Sequence, residues 1–87
     1  MTSKATDDFW SCLDALPAEV QSRARAKYRL WQADPFHPSL HFKPIGGDLW
    51  SVRISLEYRA LARRSGELIV WFWIGTHDEY EYLLDNL

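Results

Sequence analysis

The run Leu68-Ile-Val-Trp-Phe-Trp-Ile74 is seven consecutive apolar residues, and it limits the folds open to this chain more than any other stretch. It is too short to cross a bilayer as a helix, and its aromatic and β-branched side chains favour a strand covered on both faces. Such a strand sits inside a sheet, so the remaining sequence must supply neighbouring strands and a covering layer. Gly75 closes the run, and Thr76-His77-Asp78-Glu79-Tyr80 follows it, where polar side chains leave a rigid scaffold and can line a cleft. His77 is the first candidate for chemistry.

The preceding chain reads as helices and then strands. Thr6 is placed to cap a helix over about residues 7–15, with Asp7 and Asp8 in its first turn and Phe9, Leu13 and Leu16 on one face. Pro17 suits the first turn of a second helix that runs to about Ala33, where Asp34-Pro35 stops it. Val20, Ala24, Tyr28 and Trp31 make its apolar stripe, flanked by Arg23, Arg25, Lys27 and Arg29. After a linker containing Pro35 and Pro38, Leu40-His-Phe-Lys43 alternates as an edge strand would, with His41 and Lys43 outward. Leu49–Ser55 alternates with Trp50, Val52 and Ile54 inward and Ser51, Arg53 and Ser55 outward; Tyr58–Arg63 is the next strand, joined to it through Leu56-Glu57. Asp78–Leu84 forms a short acidic terminal element that packs through Leu83 and Leu84. The expected class is α+β: an N-terminal antiparallel helical hairpin on a three- to four-stranded antiparallel sheet, with a short C-terminal helix, all in one domain spanning residues 1–87.

Charge is segregated along this order. The net formal charge is -2, yet residues 20–66 carry nine Lys/Arg against three acids, and both flanking segments are acidic. A basic middle can meet phosphate at short range even in an acidic chain; interleaved charges that only solvate the surface are the plainer alternative. Cys12 is the single cysteine, which excludes an internal disulfide, and no Cys/His group has zinc spacing. The polar, acidic N-terminus lacks the apolar centre of a signal peptide and no run is long enough for a membrane helix, so a cytoplasmic protein is expected.

Several phrases, in order, resemble the RelE/ParE toxin superfamily of bacterial type II toxin–antitoxin systems: "ALP" between the helices, "DP" after the second, "WSVRI" and "EYRAL" in the hairpin, and "WIGTHDEYEYLL" at the end. The resemblance implies a helical hairpin on a curved antiparallel sheet. It also implies a ribosome-dependent mRNA endoribonuclease, held silent by a cognate antitoxin, that needs no metal or cofactor. In that chemistry a ribose 2′-hydroxyl attacks the adjacent phosphate, which calls for proton transfer and for cations on the phosphorane.

The same resemblance implies roles for individual residues. His77, after "IGT", falls at a catalytic histidine of YafQ-like members, and Arg59 of "EYR" at an arginine that contacts the scissile phosphate. Arg53 matches a basic position on the preceding strand, and Tyr80 stands for a C-terminal tyrosine that assists. His41, Lys43 and Arg63 are further candidates for holding substrate. The sequence departs from the pattern at Ser51 and Ser55, where basic residues are usual, and at Glu57, which replaces a glycine and could neutralise Arg59. The segment before Thr6 is short for the first strand usual in the family and is not read as one. Two other functions stay open: a ParE-like inhibitor of DNA gyrase, which needs no proton-transfer residue, and a non-toxic member that keeps only antitoxin binding.

Overall fold

In the computed structural model, which describes residues 1–86, the apolar run is the longest strand of a five-stranded sheet. The strands are β1 (Thr2–Ala5), β2 (Lys43–Gly46), β3 (Leu49–Arg53), β4 (Tyr58–Ser65) and β5 (Leu68–Thr76), in spatial order β1-β5-β4-β3-β2. Helices α1 (Asp7–Asp14) and α2 (Ala18–Ala33) precede the meander and α3 (His77–Asp85) follows it. The α+β class and the helical hairpin agree with the sequence reading; the sheet is wider than three or four strands and has one parallel pair.

That pair corrects the reading of the N-terminus. Thr2 to Ala5 align parallel with Leu68 to Trp71, and the Thr2 amide donates to the Glu67 carbonyl at 2.8 Å and the Thr6 amide to the Trp71 carbonyl at 3.0 Å. The strand forms because β5 is apolar on both faces; an uncovered edge there would leave buried backbone groups unpaired, so four residues suffice. Thr6 then caps α1 as expected, its Oγ1 accepting from the Phe9 amide at 3.1 Å.

The expected strand at Leu40–Lys43 is a second correction. Pro38, with φ already fixed for a tight turn, opens a 3₁₀ turn over Pro38–Leu40, and His37 Nδ1 accepts from the Ser39 amide at 3.2 Å. His41 ends the turn in the left-handed conformation (φ 47°) and the strand starts only at Lys43. Inward and outward assignments survive the change, since Leu40 and Phe42 are buried and His41 and Lys43 exposed.

One face of the sheet carries the main core. Leu13 of α1 and Ala24 and Trp31 of α2 pack on Val52, Ile54, Ala60, Ala62, Ile69, Trp71 and Ile74. Trp31 sits edge-on to Phe42 at 5.7 Å and to Trp71 at 5.4 Å between ring centres. A bulge makes β5 serve both faces. Leu61 pairs with Trp73 but Ala62 pairs with Trp71, so Phe72 is the extra residue and the alternation is reset. Trp71 and Ile74 thereby both join the main core, and Trp73 and Gly75 turn to the opposite face.

A histidine and arginine cleft on the second face

The second face is lined by the alternate residues of the same strands. Lys43 pairs with Ser51, and Arg53 pairs directly with Arg59, which in turn pairs with Gly75. Two arginines directly opposite one another repel, so this pair marks a place suited to an anion. Helix α3 covers one end of the face. Its start is fixed by a capping box: Thr76 Oγ1 accepts from the Glu79 amide at 3.2 Å, and Glu79 Oε1 accepts from the Thr76 amide at 3.2 Å. His77 is therefore the first helical residue, not the end of a strand, and its amide donates to the Glu57 carbonyl at 2.7 Å. That bond ties the helix to the β3–β4 connection beside Arg59.

A cleft of about 180 Å³ lies between these elements. The strands contribute Lys43, Ser51, Arg53 and Arg59, the turn before β2 contributes His41, and α3 contributes His77, Tyr80, Glu81 and Leu84. Six of the seven sequence candidates are thus brought together. Arg63 is not: it lies further along β4, pairs with Asp48 at 2.8 Å, and sets its guanidinium 5.5 Å from the centre of the Phe72 ring.

Each side chain is held by a distinct local cause. Arg59 Nη1 donates to the backbone carbonyls of Ser55, Leu56 (3.3 Å) and Tyr58 (3.0 Å). The expected neutralisation by Glu57 does not occur, because these carbonyls fix the guanidinium instead. Partial burial, and then the charge of Arg53, pull the Arg59 pKa below its usual value, yet arginine stays a cation at neutral pH. The Nε of Arg53 is buried without a hydrogen-bond partner, a donor that an anion in the cleft could satisfy. Arg53 also pushes the His41 imidazole below the ordinary 6.5, helped by partial desolvation and by Lys43 and Arg59.

Tyr80 is only 7% exposed, and its hydroxyl donates to Ser51 Oγ at 3.3 Å. Its ring centre is 5.9 Å from that of His77. Ser51, expected to face outward without a role, is the buried partner of this hydroxyl. Glu81, absent from the candidates, places Oε1 3.2 Å from His77 Nε2. Its signal is an i,i+4 spacing on a helix, legible only once the helix is known to begin at His77. Among the described residues, no group of three or more His, Cys, Asp and Glu side chains is placed to hold a metal ion.

Solved structures share this architecture. The YoeB/ParE toxin from Agrobacterium tumefaciens is 22% identical, with 88% of this chain and 99% of that one aligned at a TM-score of 0.67. The toxin–antitoxin complex of RelE and RelB from Methanococcus jannaschii matches at 17% identity, 90% and 95% coverage and a TM-score of 0.71. YafQ from Escherichia coli matches at 8% identity, 90% and 94% coverage and a TM-score of 0.72. No curated protein matches the chain. The family model described as the ParE-like toxin domain matches residues 18–82, from the start of α2 through the cleft to Tyr82 of α3. By that match and the shared fold, the chain belongs to the ParE-like toxin domain family, within the RelE/ParE toxin superfamily.

Proposed function

We propose that this protein is the toxin of a toxin–antitoxin pair and acts as a metal-independent endoribonuclease on ribosome-bound mRNA. The observation that carries the reading is the convergence of two histidines and the Arg53–Arg59 pair in one cleft. In the proposed reaction His41, kept neutral by its cationic neighbours, accepts the proton of a ribose 2′-hydroxyl as that oxygen attacks the adjacent phosphorus. Arg53, Arg59 and Lys43 take up the charge added in the phosphorane. The P–O5′ bond then breaks, and His77, oriented by Glu81, gives a proton to the departing oxygen. The products are a 2′,3′-cyclic phosphate and a 5′-hydroxyl. Tyr80 assists by holding the floor of the cleft through Ser51.

An antitoxin would silence such a toxin by covering the cleft, and an acidic segment would complement Lys43, Arg53 and Arg59. A structure of similar fold is a complex of RelE with RelB, which supports a partner of this kind. Among the described residues no helix is long and apolar enough to cross a membrane.

The test is primer-extension mapping of an mRNA on programmed ribosomes, with wild type, His77→Ala and a ribosome-free control. We expect ribosome-dependent cuts that fall by about 10²–10⁴-fold in the variant. The His77 side chain is 40% exposed, so truncation leaves the fold intact. A His77→Ala protein that cuts at the wild-type rate would overturn the assignment. Gyrase inhibition is the second reading, favoured by the description of the family as ParE-like; absence of cuts together with inhibited supercoiling of plasmid DNA would establish it instead.

A further inference from the structure

The cleft on the second face carries more positive charge than one RNA phosphate needs. Lys43 pairs with Ser51 across β2 and β3, Ser51 and Arg53 share a face as alternate residues of β3, and Arg59 stands directly opposite Arg53. The three cations therefore leave one side of the sheet and line one space of about 180 Å³. Each of them lowers the pKa of His41 by its charge, Arg53 the most, so all three act on a common neighbour. None of the three forms an ion pair among the described residues. Glu81 is the one carboxylate in the lining, and it pairs with His77 Nε2 at 3.2 Å. Three permanent cations against one carboxylate leave an excess of two positive charges, and the buried Nε of Arg53 still lacks an acceptor.

An excess of two charges is matched by a dianion. An RNA phosphodiester carries one negative charge, whereas a phosphomonoester carries close to two at neutral pH. The space is smaller than pockets that enclose a drug-sized ligand, so it suits a phosphate with a small substituent. We propose that the cleft is a receptor for free phosphate dianions, inorganic phosphate and small phosphomonoesters, which bind it more tightly than phosphodiesters do and hold it against RNA. The binding stands on the cation geometry; inhibition of cleavage rests on the nuclease reading. The same preference clears the product of that reaction, because a 2′,3′-cyclic phosphate carries a single charge and is held less tightly than a monoester.

The test titrates methyl phosphate, inorganic phosphate and dimethyl phosphate at constant ionic strength and a pH about two units above the monoester's second pKa of about 6, read by thermal unfolding. Methyl phosphate is then a dianion, and dimethyl phosphate differs from it by one methyl group and one charge. In water, one further negative charge about 5 Å from two positive ones is worth about tenfold in affinity, so methyl and inorganic phosphate should bind about tenfold tighter than dimethyl phosphate. At ten times its dissociation constant, methyl phosphate should raise Tm by about 6–10 °C. It should also displace a fluorescent single-stranded RNA from His77→Ala protein at concentrations where dimethyl phosphate does not. Lys43 is exposed, so Lys43→Gln should keep the unliganded Tm and weaken methyl phosphate by about three- to tenfold. Arg53→Gln should weaken it by about tenfold or more, and Glu81→Gln, which removes the one carboxylate, should tighten it by about three- to tenfold. Dimethyl phosphate stabilising as well as methyl phosphate does, no binding by wild type, or undiminished binding by folded Lys43→Gln and Arg53→Gln would each overturn the proposal. Methyl phosphate binding without ribosome-dependent cuts would overturn the nuclease reading alone, and cuts without methyl phosphate binding would overturn the dianion site alone.

Discussion

At the scale of single residues, the cleft is a balance between like charges and the groups that tolerate them. Arg53 faces Arg59 across the β3–β4 ladder, and the same Arg53 is the leading cause of the lowered His41 pKa. A neutral imidazole accepts a proton and a charged one does not, so a His41 base gains activity as pH rises through its pKa. The acid limb of cleavage is therefore expected below 6.5. Arg53→Gln removes the leading cause and should move that limb to higher pH, in addition to any loss of rate; kcat/KM against pH reads it. An unmoved limb would take the base role from His41. Alternation put Arg53 on the outward face of its strand and the short Leu56-Glu57 connection put Arg59 near the same hairpin, so their proximity was legible in the sequence. Glu81 and the Ser51–Tyr80 bond were not, since they depend on where α3 starts and on which face of the sheet it lies.

Among the elements, α3 is the one that assembles the cleft. Thr76→Ala removes the side chain that caps it and is expected to cost about 1 kcal/mol in urea unfolding. The same change should lower cleavage more than binding, because His77 is the next residue and loses its fixed helix entry. Gly75 has a separate role: a Cβ there would lie 2.4 Å from the Trp73 ring. Gly75→Ala must displace that ring beside Arg59, and we expect a loss of about 1–3 kcal/mol by the same measurement. A variant as stable as wild type would mean that the indole swings aside freely. The N-terminal strand shows where local signals fail. Thr2 to Ala5 contains no strand pattern of its own, and its conformation is imposed by the edge of β5 that it covers.

Over the whole molecule, a net charge of -2 coexists with a cleft lined by Lys43, Arg53 and Arg59. If these three meet three phosphates, the affinity of His77→Ala protein for a short single-stranded RNA should fall with salt at a log–log slope of about -2. Fluorescence anisotropy at several salt concentrations measures it, and a slope near zero would exclude a cationic RNA site. The acidic average and the basic site are reconciled by the fold, which places the acidic termini at β1, α1 and α3 and folds the basic middle into α2 and the meander. By itself the sequence determined what short-range chemistry determines: the apolar strand, the two helices with the Thr6 cap and the Asp34 stop, and the inward and outward faces of β3. Only the tertiary structure decided the pairing of β1 with β5, the bulge at Phe72 that lets β5 serve both faces, the exclusion of Arg63, and the meeting of His41 with His77. Those features join residues far apart in the chain, and their free energies come from covering a buried edge and filling space between layers, which no local pattern of side chains encodes.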